Sequence, residues 1–468
     1  IAWMLFLKVY DSKEQDWEWG DDDYVSIIPE ECRWADWAHD DRSGAAMTGD
    51  ALLNFVNKTL FPTLKGLEVD PETPIKKSIV KTTFEDANQY MKDGVQLRQV
   101  INVIDAVDFG SYEETHAFGE IYESILKEMQ SAGSAGEFYT PRAVTEFMAQ
   151  MIDPQVGEQC ADFACGTGGF LTSTLNYLNR KENLSAEQRE FYSNKAIFGI
   201  EKKPLPYLLA ITNLLLHDID TPNISHGNSL ERRVTEYTDD EKFPVIVMNP
   251  PYGGTELNEI KRNFPADLRS NETADLFIAL ILYRLKFNGR AAVIIPDGFL
   301  FGTNTPKIEL KKRLLNQFNL HTIIRLPQSV FSPYTSISTN ILFFDKTRRT
   351  EKIWFYRVDM PEGYKHFSKT KPMILEHFAD CAEWWSNRRD IQDTDSETFK
   401  AKSFTVDEII NRGYDLDLCG YPSTDEEILS PTETIKDFQE RRAALNSKID
   451  SRLEKLSALL QYIGGDEA

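Results

Sequence analysis

Asn249, Pro250, Pro251 and Tyr252 follow directly on the apolar run Val245 to Met248 in "VIVMNPPYGG". The run is short, mostly β-branched and uninterrupted by polar residues, which suits a parallel strand buried on both faces. Prolines cannot continue such a strand. The four residues therefore fall at its carboxyl end, where open α/β sheets bind their ligands. The tetrapeptide lies where chemistry is usually found.

A second cluster lies upstream in "ADFACGTGGFL" (Ala161 to Leu171), a strand that turns through Gly166, Gly168 and Gly169 into a helix. Glycines there let backbone amides and a helix amino terminus approach a ligand. The pattern is neither G-x-G-x-x-G nor a P-loop, and alone it fits a tight strand-to-helix connection as well. The next apolar run, "AIFGIE", ends in Glu201, and an acid at that strand tip can accept from both hydroxyls of a ribose. Its distance from the glycines exceeds the usual interval of about twenty residues, which the polar insert "NRKENLSAEQREFYSNK" accounts for. Taken alone, a surface carboxylate is the plainer reading of Glu201. Asn228 in "SHGNSL" falls in a polar turn, where its amide can read the edge of an adenine or simply close the turn. Before the first strand, "GEFYTPR" (Gly136 to Arg142) places Pro141 to open the helix "RAVTEFMAQMI", and its amides and the Thr140 hydroxyl can meet a carboxylate.

These residues need a frame, and the chain supplies one. "CADFA", "AIFGIE", "VIVMNP", "AAVIIP", "TIIRLP" and "NILFFD" alternate with helical stretches, as in a doubly wound α/β sheet. Only "QSVFSPYTSIST" separates the last two, too little for a helical crossover, so they are expected to close the sheet as an antiparallel hairpin. Residues 1 to about 110 read as helical. "IAWMLFLKVY" is too short and too soon followed by charge to span a bilayer, and is expected to be a buried helix. "ALLNFVNKTLFPTL" follows the possible caps Thr48 and Asp50, and "VQLRQVINVIDAV" has helical periodicity. Trp17, Trp19, Trp34 and Trp37 fit a helical core or subunit face. Beyond about residue 430, Ile449, Leu453, Leu456 and Leu460 form one stripe amid charges, which the rest of the chain or a partner can cover. The expected domains are 1–115 (helical), 116–430 (the sheet) and 431–468 (a helical tail).

The 468 residues carry a formal net charge of -22, which argues against a surface that grips phosphates throughout. Five cysteines, an odd number without a C-x-x-C pair, indicate neither a disulfide framework nor a zinc site, and point to a reducing cytosol. Position 1 is Ile rather than Met, so the true start is expected upstream and no targeting sequence can be judged.

The order "GEFYTPR", "DFACGTGGF", "GIE", "GNSL", "NPPY" resembles the amino-methylating DNA methyltransferases that use S-adenosylmethionine, and more closely the methylation subunit of type I restriction-modification systems. The likeness extends to "WMLFLKVYD", "IIPDGFLFG", "RLPQSVFSPYTSISTNILFF" and "GYDLDL". A given tetrapeptide arises by chance in roughly one of a few hundred chains of this length, so "NPPY" gains its weight from register with the other motifs.

The resemblance implies a Rossmann-like methyltransferase sheet and a cofactor site made of Glu137, Phe138, Tyr139, Thr140, Pro141, Arg142, Asp162, Gly166, Thr167, Gly168, Gly169, Glu201 and Asn228. Asn249, Pro250, Pro251 and Tyr252 would be catalytic. An exocyclic adenine amine is a poor nucleophile because its lone pair is delocalised into the ring. The Asn249 amide oxygen and the Pro250 carbonyl can accept from it and turn that lone pair towards the methyl sulfonium. Tyr252 offers a ring to a base swung out of double-stranded DNA. In-line displacement then requires no metal, nucleophilic side chain or general base. The implied partners are a DNA specificity subunit and a restriction subunit, with two methylation subunits per specificity subunit. A glutamine amide in protein, a guanine in RNA, or a non-catalytic scaffold are the alternatives.

Overall fold

A computed structural model of the chain describes residues 1–40, 46–70, 75–109, 122, 139–180, 185–332, 335, 337–368, 371–393 and 398–420, together with 438, 439, 442 and 446. It divides into two units, Ile1–Gly420 and Tyr421–Ala468. Glu137, Phe138 and the stripe from Ile449 to Leu460 lie outside the described residues.

The first unit is organised by one sheet. Its strands are β1 (Cys160–Asp162), β2 (Ile197–Glu201), β3 (Ile224–His226), β4 (Phe243–Met248), β5 (Leu285–Pro296), β6 (Asn319–Arg325), β7 (Thr339–Asp345), β8 (Lys352–Arg357), β9 (Ile391–Gln392) and β10 (Phe399–Thr405). They lie in the order β3-β2-β1-β4-β5-β7-β6-β8-β10-β9. From β3 to β5 every pairing is parallel. The expected hairpin is present: β7 runs antiparallel to β6 and is inserted between it and β5. Four strands go beyond the six expected runs: β3 on one side of the sheet and β8, β9 and β10 on the other.

Alternation along β4 shows how two layers are held. Val245 and Val247 join a core with the helix Arg142–Ile152 on one face, while Ile246 and Met248 join a core with the helices Thr273–Arg284 and Thr305–Gln317 on the other. All four side chains are at most 1% exposed, so a polar substitution at any of them would bury an unpaired group.

Every regular element described before Arg142 is helical. Helix Ala2–Gly20 buries Trp3, Leu5, Phe6, Leu7 and Tyr10, as the opening run predicts, in one core with the helix Pro204–Leu215 that follows β2. Trp34 and Trp37 are buried and Trp17 packs on that core, whereas Trp19 is 93% exposed. Thr48 occupies the amino-terminal cap of Gly49–Phe55 without a capping bond from its side chain. The effective cap is elsewhere: the Asp93 carboxylate accepts from Val95 and Gln96 at the start of Gly94–Asp105. No helix among the described residues is long and apolar enough to cross a membrane, and all five cysteines are buried and unpaired.

Candidate active site

Strand order reverses between β1 and β4, since β2 and β3 lie outward of β1 and β5 lies outward of β4. Such a reversal opens a crevice at the carboxyl ends of the strands. The glycine turn leaves β1 and Asn249 leaves β4, and these strands are direct neighbours, with Ala161 opposite Ile246. Topology thus brings together two motifs separated by about eighty residues of sequence.

The glycine turn is fixed by its neighbours. Gly166 (φ 55°) and Gly168 (φ 81°) adopt the left-handed conformation that side chains disfavour. At Gly168 a Cβ would meet Ala210 at 3.7 Å, an ordinary contact, so backbone conformation rather than space demands glycine. The Gly166 N–H donates to Glu201 Oε2 at 2.8 Å and the Lys203 N–H donates to Oε1 at 2.7 Å. These two bonds fix the orientation of the carboxylate at the strand tip. The buried Asn213 amide donates to the Thr167 carbonyl at 2.9 Å. That prop was missed in the sequence, although an asparagine inside "YLLAITNLLL" was a signal.

Asp162 is the unusual group. One carboxyl oxygen accepts from the Ala164 amide at 3.0 Å, and the other is buried without a partner. Burial pushes its pKa up to about 8, with the Glu201 charge adding to an effect that the Ala164 amide only partly offsets. A buried polar oxygen without a partner beside the ribose-type acid, and a turn that only glycine can make, fit a nucleoside cofactor.

Other expected cofactor residues have structural duties. Arg142 Nη1 donates to Thr172 at 3.0 Å and its Nε pairs with Glu146 at 3.2 Å, which secures the helix after Pro141. Pro141 is the cap rather than the first helical residue. Asn228 follows β3, and its amide oxygen accepts from Leu230 at 3.1 Å, leaving Nδ2 as the group that can read a base. Gly169 opens the helix Gly169–Asn179, and Tyr139 is partly buried.

At the end of β4 the polar groups bond to one another. Asn249 Nδ2 donates to Thr140 Oγ1 at 3.0 Å, and the Tyr252 hydroxyl donates to Asn249 Oδ1. In this arrangement Thr140 holds the amide nitrogen and Oδ1 is the acceptor end. Pro250 is buried and Pro251 partly so. The Tyr252 ring is 3% exposed, and burial drives its hydroxyl pKa well above the ordinary value. It meets Phe331 edge to face, with ring centroids 6.5 Å apart. Phe331 lies within "RLPQSVFSPY", where its residue type alone gives no signal, because only the fold brings its ring to Tyr252.

Comparison with known proteins agrees with this geometry. Residues 113–428 match the model of the N-6 DNA Methylase family, and residues 1–104 match the HsdM N-terminal domain. The methylase subunit of the type I restriction enzyme EcoEI from Escherichia coli is 46% identical over 462 residues, 98% of this chain and 93% of that protein. A modification subunit of a putative type I restriction enzyme from Vibrio vulnificus YJ016 superposes with a TM-score of 0.77 at 39% identity, covering 92% of each chain. A chain from a structural study of complex assembly and conformational transition in a type I restriction-modification system gives 0.78 at 35% identity, over 98% of this chain and 92% of that one. The chain belongs to the N-6 DNA methylases, in the family of type I restriction enzyme methylase subunits.

Proposed function

We propose that this chain transfers a methyl group from S-adenosylmethionine to the N6 amine of adenine in DNA, as the modification subunit of a type I restriction-modification complex. One observation carries the reading: Asn249 to Tyr252 leave β4 beside the glycine turn of β1, at the reversal of strand order. Similarity that spans the amino-terminal helices as well as the sheet favours DNA over a protein or RNA amine.

S-adenosylmethionine supplies an electrophilic methyl on a sulfonium, already a good leaving group. Glu201 would hold the ribose hydroxyls, the Gly166–Gly169 turn would admit the nucleoside, and Asn228 Nδ2 would read the adenine edge. Asn249 Oδ1 and the Pro250 carbonyl would accept from the target amine, a contact that strengthens as charge develops on nitrogen. Tyr252 and Phe331 would stack on the extruded base. Tyr252 is buried and bonded to Asn249, so entry of a base requires that contact to open.

The domains we propose are 1–115, 116–430 and 431–468, the last docking on a specificity subunit that selects the DNA site, with two methylation subunits for each. A restriction subunit would complete the complex, in the cytosol. The test is methyl-labelling of DNA by the chain purified with its partner, followed by base-resolved detection of N6-methyladenine. A complex that binds cofactor and DNA yet labels no adenine would defeat the reading. A chain ending near residue 430 is expected to bind cofactor but fail to co-purify with the specificity subunit.

A further inference from the structure

Arg325 ends β6 and is 2% exposed, so its five N–H groups need acceptors within the protein. They come from three distant segments. The guanidinium donates to Asn340 Oδ1 on β7 at 3.1 Å, to Asp297 Oδ1 after β5 at 3.4 Å, to the Gly420 carbonyl at 3.2 Å and to the Asp417 carboxylate. Asn340 Nδ2 also donates to Asp297 at 2.6 Å, and the Leu416 amide donates to the Leu300 carbonyl at 3.1 Å. Sequence segments "IIPDGFLFG", "RLPQSVF", "TNILFF" and "GYDLDL" thus converge on one buried cation. Its neighbour in register on β8 is Arg357, a second buried cation, which has its own carboxylates in Asp359 at 2.6 Å and Asp393 at 3.0 Å. Each of the two like charges is thus met by carboxylates of its own.

Placement makes this cluster more than a staple. Beyond Arg325 the same segment carries Leu326, Val330 and Phe331, all buried, and Phe331 packs on Tyr252. The opposite wall, Asp417 to Gly420, is the last stretch of the first unit before Tyr421 begins the second. We propose that Arg325 and Asp417 are positioning residues: their ion pair ties the root of the carboxyl-terminal tail to the segment that holds Phe331 against Tyr252, so that base alignment depends on how that root is seated. This rests on the methyl transfer proposed above.

The test uses the full chain in complex with its specificity subunit, labelled cofactor, and unmethylated plasmid DNA that the wild-type complex labels. Asp417→Asn keeps the size and one acceptor but removes the charge, and Asp417 is 28% exposed, so water can replace what is lost. Its kcat should fall roughly tenfold to a hundredfold, as a small misplacement of reacting groups does. Cofactor affinity, DNA affinity and co-purification with the partner should change less than about twofold, in contrast to a general loss of folding. With 2-aminopurine in place of the target adenine, the emission of the bound complex should shift from that of wild type. Asp393→Asn, which strips the adjacent Arg357 of a carboxylate, is the control and should leave kcat unchanged. Equal damage from both variants, or an unchanged kcat in Asp417→Asn, would overturn the proposal. A wild-type complex that labels no DNA would refute the methyl-transfer reading itself.

Discussion

The glycine turn after β1 and the Asn249 loop after β4 are neighbours in one crevice, yet they satisfy their polar groups in opposite ways. In the turn, backbone amides of Gly166 and Lys203 hold the Glu201 carboxylate in a fixed orientation. In the loop, Asn249 has its nitrogen on Thr140 and its oxygen under the Tyr252 hydroxyl. One half is ready for its ligand before that ligand arrives. The other must exchange an internal partner for the substrate amine, which makes access to the base a conformational matter.

Asn249→Ala should sharpen this contrast most. It removes the acceptor that strengthens during transfer, so kcat should fall roughly a hundredfold to a thousandfold, while calorimetric titration should find cofactor affinity nearly unchanged. In the other half, Glu201→Ala should weaken cofactor binding roughly tenfold to a hundredfold, the range for a hydrogen bond to a charged group. Gly168→Leu should also weaken it, through strain at φ 81°. Normal affinity in both variants would dismantle the assignment of that half.

Thr140→Val should have a smaller effect, about tenfold in kcat, because the amide nitrogen loses the partner that holds it in place. Tyr252→Phe should stay within about threefold of wild type, since the ring remains and Asn249 Oδ1 is released; Tyr252→Ala should lose more and Tyr252→Asp most. A severe loss in the Phe variant would mean that the hydroxyl works in the reaction and is no mere resting partner.

Asp162 gives the smallest and most specific effect. Its folded pKa of about 8 lies above the ordinary carboxylate value of 3.8. The folded state therefore retains a proton that the unfolded chain gives up, and the stability due to this group is full below about 4 and is lost as pH rises towards about 8. Thermal unfolding without cofactor should show wild type losing more stability between pH 5.5 and 8.5 than Asp162→Asn does. Parallel pH profiles would place the proton elsewhere.

The core of the sheet was legible because strands buried on both faces read as unbroken apolar runs, as Val245–Met248 and Ala291–Ile295 do. The added strands were not, since "KIWFYR" and "FKAKSFT" mix charge with apolar residues, β3 has only Ile224 to His226 and β9 only Ile391 and Gln392. Asn249, Tyr252 and Gly168 stand out as candidates by residue type at strand ends, whereas Glu201 does so only beside the glycine turn. Phe331 and the Arg325 cluster did not, because their meaning comes from partners up to 95 residues away. Nor could spacing reveal that Tyr252 turns its hydroxyl onto Asn249.

The ten-stranded sheet ends in β3, Ile224–His226, on one side and in the two residues of β9 on the other. Margins so short expose few free amides and carbonyls, and so give another chain little to pair with by strand addition. Among the described residues, edges of this kind favour associations made through side-chain surfaces, where selectivity is easier to encode than in backbone pairing.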